Sequence, residues 1–94
     1  MKQNDYIKKV KPYEKAFNEL KAIGAPINHL GKGWSGIALF SISAENNDFI
    51  IWADYYKFEY GEFGVNMKII NILSKYGLFC EWQNPGVLDV FYTY

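Results

Sequence analysis

Hydrophobic and small residues after position 12 recur at the spacing of a helix. The repeat follows the i, i+3, i+4, i+7 rule, so these side chains share one helix face. They are Tyr13, Ala16, Phe17 and Leu20. Pro12 suits the first helical turn, and Gly24 is the expected left-handed residue after the last one. The pattern predicts an amphipathic helix from Pro12, with Ile23 extending its apolar stripe.

A second helical pattern begins at Asn66, whose side chain suits an N-cap. Its apolar stripe consists of Ile69, Ile70, Leu73 and Tyr76. Lys75 favours the negative end of the helix dipole, and Gly77 is the expected end of the helix. The sequence therefore predicts a second amphipathic helix between Asn66 and Gly77.

Four short segments rich in branched and aromatic residues predict strands. They are residues 37–43, 49–55, 78–82 and 87–94. A short polar turn joins the first pair and Pro85-Gly86 joins the second, so each pair predicts an antiparallel hairpin. Pro followed by Gly is typical of a type II turn. In the second strand both faces begin apolar and become polar, which predicts that it starts between two covering layers and emerges from the sheet at Asp54.

The predicted element order is helix, strand, strand, helix, strand, strand. A chain of 94 residues buries a single core, so we predict one α+β domain over residues 1–94. Its antiparallel sheet is expected to carry the helices packed on one face, with the strand order left open. Residues 4–11 are expected to add a short helical turn before Pro12.

The formal net charge is zero, but the charges are unevenly placed. Residues 1–32 carry seven Lys and three carboxylates, whereas residues 33–94 carry three Lys and seven carboxylates. The chain has no Arg, the side chain best suited to bidentate contacts with phosphate and guanine, so sequence-specific nucleic-acid binding is not expected. The acidic portion suits a protein partner with a basic surface.

Cysteine usage and hydropathy indicate the compartment. Cys80 is the single cysteine and cannot form an internal disulfide, and no apolar stretch of signal-peptide type follows the basic N-terminus. No apolar run approaches membrane-spanning length, so we expect a cytoplasmic protein without a membrane partner. Cys80 alternates with Leu78 and Trp82 on one predicted strand face, which indicates a buried thiol rather than a reactive one.

Residues 52–66 carry the candidate interaction surface. Six aromatic residues lie there among three carboxylates, and Lys57 is the single cation. Aromatic side chains combine contact area with a polar tip and stiff rotamers, which in a connecting segment favours binding. Several of these rings are expected to close the core of so small a domain. The predicted partner-binding residues are Asp54, Tyr56, Phe58, Glu59, Tyr60 and Glu62.

Motifs for catalysis, metals and phosphate are weak in this chain. The carboxylates considered for such roles are Asp54, Glu59, Glu62, Glu81 and Asp89. Their spacing matches no metal-binding loop, and His29 is the only histidine. A nucleophilic Ser35 with His29 as base and Asp54 as orienter lacks the elbow motif, and GKG at residues 31–33 lacks the spacing of a phosphate loop. No catalytic residue, metal or cofactor is expected. Asp89, which interrupts an apolar strand, is expected to point outward or to accept hydrogen bonds from a loop.

A short, Tyr-rich chain whose basic side chains are all Lys resembles in type, without any aligned residue, the small accessory proteins of phages and mobile elements. That resemblance implies a non-enzymatic inhibitor that occupies a host or defence protein, of the anti-defence or immunity kind. Two alternatives stay open. One is a small-ligand binder that holds a nucleotide-like compound beside Tyr56 and Lys57, with a homodimer interface as one location. The other is a small hydrolase that uses Asp54, Glu59 or Glu62 as acid or base.

Overall fold

A computed structural model describes residues 10–28, 38–45 and 49–93 of the chain. The described elements are helix α1 (Pro12–Ala22), strand β1 (Phe40–Ser43), helix α2 (Met67–Lys75), strand β2 (Leu78–Asn84) and strand β3 (Val87–Tyr92). The fold is α+β, as predicted, with three described antiparallel strands where four were expected. Of the helical turn predicted at residues 4–11, residues 4–9 lie outside the described residues, and Val10 and Lys11 are not helical. The GKG sequence, His29 and Ser35 also lie outside the described residues.

Both predicted helices form, and local signals set their ends. The Asn66 side chain accepts a hydrogen bond from the Lys68 N–H at 2.8 Å and caps α2. Gly24 and Gly77 follow the two helices with φ of 86° and 72°, the left-handed conformation that glycine adopts without strain. The extension of the first apolar stripe to Ile23 is wrong, because α1 ends at Ala22 and the Ile23 side chain is exposed.

The sheet has the strand order β1-β3-β2, so β3 is central. The predicted hairpin of β2 and β3 is confirmed. The predicted first hairpin is wrong, because β1 pairs antiparallel with β3, with Phe40 opposite Val90 and Ile42 opposite Leu88. Residues 38–45 give a strand of four residues, shorter than predicted, and Ile37 lies outside the described part of the chain.

Residues 49–55 do not form the predicted strand. Phe49, Ile50 and Ile51 are exposed, whereas Trp52 and Ala53 are buried, which reverses the expected order of covered and emerging positions. Ala53 forms an isolated antiparallel bridge with Val65 instead of joining the sheet. The backbone hydrogen bonds of this segment therefore close a loop, and the local apolar pattern could not distinguish that arrangement from a strand.

The turn between β2 and β3 differs from the predicted type II turn. Such a turn needs a positive φ at its second central residue, here Gly86, and Gly86 does not have one. Instead, the Asn84 side chain accepts a hydrogen bond from the Gly86 N–H at 2.8 Å, next to a register irregularity between Trp82 and Asn84. A side-chain acceptor thus organises this turn.

The helices pack on one face of the sheet, as predicted. Alternation along the strands places six buried residues on this face. They are Phe40, Ile42, Leu78, Cys80, Leu88 and Val90. Helix α1 packs on this face through Phe17, whose ring contacts the Phe40 ring edge-to-face with the centroids 5.3 Å apart. Helix α2 contributes the buried Ile69 and Leu73. The core therefore lies between this sheet face and both helices.

Asp89 is on the opposite sheet face, where it is paired with Ser41 of β1 and Glu81 of β2. Its side chain is completely buried, so the expectation that it points outward is wrong. Asp89 makes at least one polar or electrostatic interaction. The other expectation, that Asp89 accepts hydrogen bonds from a loop, stays a prediction, and burial of a carboxylate is costly without such bonds.

A polar cluster joins the two helices at their carboxyl ends. Glu19 of α1 lies 2.8 Å from the Lys75 Nζ and also accepts a hydrogen bond from the Tyr76 hydroxyl. The hydrogen bond from Lys75, followed by that from Tyr76, lowers the pKa of Glu19 from its ordinary value. The same contact raises the pKa of Lys75.

We expect Leu73→Ala to lower the free energy of unfolding by about 2–5 kcal/mol, because the side chain is buried in the core and its loss leaves a cavity. The exposed Asn71→Ala on the same helix serves as control and should change stability by less than about 0.5 kcal/mol. Urea titrations followed by circular dichroism measure both. Equal stabilities for Leu73→Ala and the native protein would contradict this core.

We expect the Glu19 cluster to make stability sensitive to acid. The folded pKa of Glu19 lies below its ordinary, unfolded value. The stabilisation by Glu19 is therefore complete above the unfolded pKa and is lost as pH falls through the folded pKa. Glu19→Gln should therefore have a lower melting temperature than the native protein at pH 7. The difference should shrink below pH 4, as thermal melts across this range can measure. A constant difference would remove the electrostatic explanation.

Candidate functional site

Residues 54–64, hereafter the aromatic loop, begin and end at a closed neck. The neck is the antiparallel bridge of Ala53 and Val65. Just inside it the Asp54 N–H donates to the Gly64 carbonyl at 2.7 Å, and just outside it the Asn66 N–H donates to the Trp52 carbonyl at 2.9 Å. Ends that are this close, around a short compact segment, are typical of an Ω-loop.

Two glycines permit the backbone to fold back tightly inside the loop. A Cβ atom on Gly64 would lie 2.5 Å from the Asp54 carbonyl oxygen, and one on Gly61 would lie 1.9 Å from that of Val65. Both glycines also have positive φ, of 87° and 59°. The neck therefore requires glycine at these positions for space as well as for conformation.

The Tyr60 hydroxyl is directed towards the neck. Its hydroxyl donates to the Ile51 carbonyl at 2.6 Å and accepts a hydrogen bond from the Asn66 amide at 3.1 Å. The same Asn66 amide also donates to the Ile51 carbonyl at 3.0 Å. Tyr60 is half-buried and thus less exposed than expected, and its contact with a partner stays a prediction. Its polar tip is used to fasten the loop to the residues before it.

Three aromatic rings on the loop form an exposed cluster. Tyr55, Tyr56 and Phe58 are 39%, 79% and 56% exposed. Tyr55 is at their centre, with its ring edge-to-face against Tyr56 at 5.4 Å and Phe58 at 6.2 Å. Tyr56 and Phe58 are thus exposed as expected, and their contact with a partner stays a prediction. We call these three residues the aromatic cluster.

The aromatic cluster rests on the sheet through Trp82 of β2. The rings of Tyr55 and Trp82 are 5.3 Å apart and edge-to-face. The Trp82 indole N–H donates to the Phe63 carbonyl at 2.9 Å, which fixes the far end of the loop. Tyr55 is not among the predicted partner-binding residues, because its role depends on a contact with Trp82, a residue 27 positions later.

The predicted acidic residues divide into two kinds. The Asp54 carboxylate accepts a hydrogen bond from the Tyr56 N–H at 3.0 Å, which stabilises the turn that begins the loop. Glu59 and Glu62 are exposed, and no salt bridge to either carboxylate occurs among the described residues. The exposed negative charge of the aromatic loop therefore comes from Glu59 and Glu62, with Lys57 as an exposed cation.

Described residues offer limited means for catalysis. No group of three or more His, Cys, Asp or Glu side chains in the described ranges is placed to hold a metal ion. Burial, followed by the charge of Glu62, raises the pKa of the Cys80 thiol to about 12, so a negligible fraction is thiolate at neutral pH. This confirms that Cys80 is a buried core residue.

Two described cavities are available to small molecules or side chains. One, of about 290 Å³, lies between Phe17 and Lys21 of α1 and residues 25–28. The other, of about 200 Å³, lies where the aromatic loop meets α2 and β2. Neither is lined by Tyr56 or Lys57, the residues expected to flank a ligand.

Among the helices of the described chain, none has the length and apolar character needed to cross a membrane.

We expect Gly64→Ala to destabilise the protein more than Gly24→Ala, although the two glycines have nearly equal φ. A Cβ at Gly24 meets nothing within 4 Å, whereas one at Gly64 meets the Asp54 carbonyl. The two substitutions share the conformational strain, so their difference isolates the close backbone approach, for which we expect about 1–3 kcal/mol. Denaturant titration of both variants provides the test. Equal losses would show that the neck tolerates a methyl group.

Comparison with known proteins adds no function to this geometry. The chain matched no protein-family model, no curated protein and no solved structure. A functional assignment therefore depends on which side chains are exposed, what holds them, and what they can bind.

Proposed function

We propose that this protein is a non-enzymatic binding protein whose aromatic loop docks on a protein partner with a basic surface. The observation that carries the proposal is the aromatic cluster, in which Tyr55, Tyr56 and Phe58 are exposed on a loop closed by backbone hydrogen bonds. Exposed aromatic side chains that gather in one place are the usual anchors of protein interfaces. Occupation of a partner's surface is also how an anti-defence or immunity-type inhibitor would act.

The way in which the cluster is held favours binding. Tyr55 contacts Trp82 and both exposed rings, so the cluster retains its arrangement without a partner. Rings that are already ordered lose little conformational entropy on association, and Tyr and Phe have only two side-chain torsions to fix. Less of the free energy gained from burying the rings is then lost in ordering them.

Charge supplies the second part of the proposal. The exposed Glu59 and Glu62 belong to the same loop as the cluster, and in an interface they would form its polar rim. Carboxylates at a rim attract a basic partner and increase the association rate more than the affinity. The proposal includes a cytoplasmic setting, which the single cysteine supports.

We expect Tyr56→Ala and Phe58→Ala each to weaken partner binding by roughly tenfold or more, because the loss of an interface anchor costs about 2 kcal/mol. Immobilised native protein would capture partners from the source-cell lysate, and the affinity of the purified candidate would then be measured by calorimetry. Both substitutions remove exposed rings, so melting temperatures should change little.

Phe49→Ala is the matched control, since Phe49 is fully exposed and lies outside the aromatic loop. A partner that is lost with Tyr56→Ala and kept with Phe49→Ala supports the proposal.

The role of the loop carboxylates is tested by charge reversal. Glu59→Lys should slow association at low salt, whereas Glu45→Lys, at an exposed site outside the loop, should have a smaller effect. A partner captured equally by all these variants would overturn the proposed role of the loop.

A further inference from the structure

The cavity of about 200 Å³ lies at the base of the aromatic loop, where three elements meet. Phe63 of the loop, Ile70 of α2 and Phe79 of β2 contribute apolar surface, and the buried Leu73 and Cys80 line it as well. One water molecule occupies about 30 Å³ in the liquid, so the cavity has room for a whole amino-acid side chain. Its lining favours the aliphatic part of such a side chain.

Two exposed polar residues also line the cavity, Glu62 of the loop and Ser74 of α2. The Glu62 carboxylate has no ion-pair partner among the described residues. Glu62 and Cys80 both line the cavity, and the charge of Glu62 contributes to the raised pKa of the Cys80 thiol. The cavity thus combines an apolar interior with one anionic group and one hydroxyl.

We propose that this cavity binds a lysine or arginine side chain of the protein partner. The long aliphatic stem of either residue would pack on the apolar lining, and its charged end would reach the Glu62 carboxylate, with the Ser74 hydroxyl as a further hydrogen-bond acceptor. Charge complementarity selects this occupant: an aliphatic side chain would leave the carboxylate without a counter-charge, and an acidic one would be repelled by it.

Continuity with the aromatic cluster connects the cavity to the proposed function, on which this inference rests. Glu62 and Phe63 belong to the same loop as the cluster, and the Phe63 carbonyl accepts the hydrogen bond of Trp82, the residue beneath Tyr55. One partner surface could therefore contact the rings while a single basic side chain enters the cavity. The basic character proposed for the partner then has a specific site.

The test uses three small probes and the complete protein, observed through backbone amide signals in NMR spectra. The probes are the N-acetyl methylamides of lysine, arginine and norleucine, the last an uncharged analogue of lysine. We expect the charged probes to shift the amides of Glu62, Ser74 and Cys80 with dissociation constants on the order of millimolar. Norleucine should bind about two- to fivefold more weakly, the range expected for one exposed ion pair.

Two variants locate the interaction. Glu62→Gln should make the three probes equivalent, because it removes the charge and keeps the shape of the side chain. Ser74→Trp should abolish all three titrations, since a helical side chain at this position leans over the preceding turn, towards Ile70 and the cavity. Asn71→Trp, an exposed position on α2 that does not line the cavity, is the matched control and should leave the titrations unchanged.

Equal affinity of all three probes for the native protein would overturn the inference, as would the absence of shifts at these amides. The proposed function fails separately. A captured partner could require Tyr56 and Phe58 but bind Glu62→Gln and Ser74→Trp as tightly as the native protein. That result would support docking through the aromatic loop and would reject the cavity as a binding site. Conversely, charged probes could bind in the cavity while no captured partner depends on the rings. That result would support a cation site and would reject the docking role of the aromatic loop.

Discussion

The closure of the chain around Asn66 is the constraint on which the candidate site depends. The Asn66 side-chain oxygen accepts a hydrogen bond from the Lys68 N–H at the start of α2. The Asn66 side-chain N–H group donates to the Ile51 carbonyl and to the Tyr60 hydroxyl. Its backbone N–H donates to the Trp52 carbonyl. One residue therefore satisfies polar groups at the start of a helix and on both sides of a loop neck, which would otherwise require water or new partners.

Trp82 extends this constraint from the loop to the sheet. Its indole N–H holds the Phe63 carbonyl, its ring contacts Tyr55, and its strand pairs it with Leu88 of the central strand. The position of the exposed rings is thus tied to the hydrophobic core through one side chain. A loop that is anchored in this way presents a defined surface, whereas a free linker of the same composition would order only on binding.

The parts of the fold that could be predicted from the sequence are those fixed by neighbours along the chain. Both helices follow from apolar spacing with a cap or a terminal glycine, and the β2–β3 hairpin follows from two strand patterns separated by Pro85-Gly86. The partner of β1 is different, because the choice of β3 depends on long-range pairing. Residues 49–55 show the same limit: they have the apolar pattern of a strand, but Ala53 forms its bridge with Val65 and not with a strand of the sheet.

The candidate site could likewise be predicted only in part from the local sequence. Tyr56 and Tyr60 have identical chemistry in the same segment, and no local rule distinguishes them. Tyr60 turns towards the neck because the Ile51 carbonyl and the Asn66 amide both need its hydroxyl, while the Asp54 carboxylate fixes the backbone of Tyr56 and leaves its ring in solvent. The different exposure of these two tyrosines therefore depends on which polar groups the neck requires. Among the described residues the Tyr56 hydroxyl makes no hydrogen bond, and its ring, which is 79% exposed, is available to a partner.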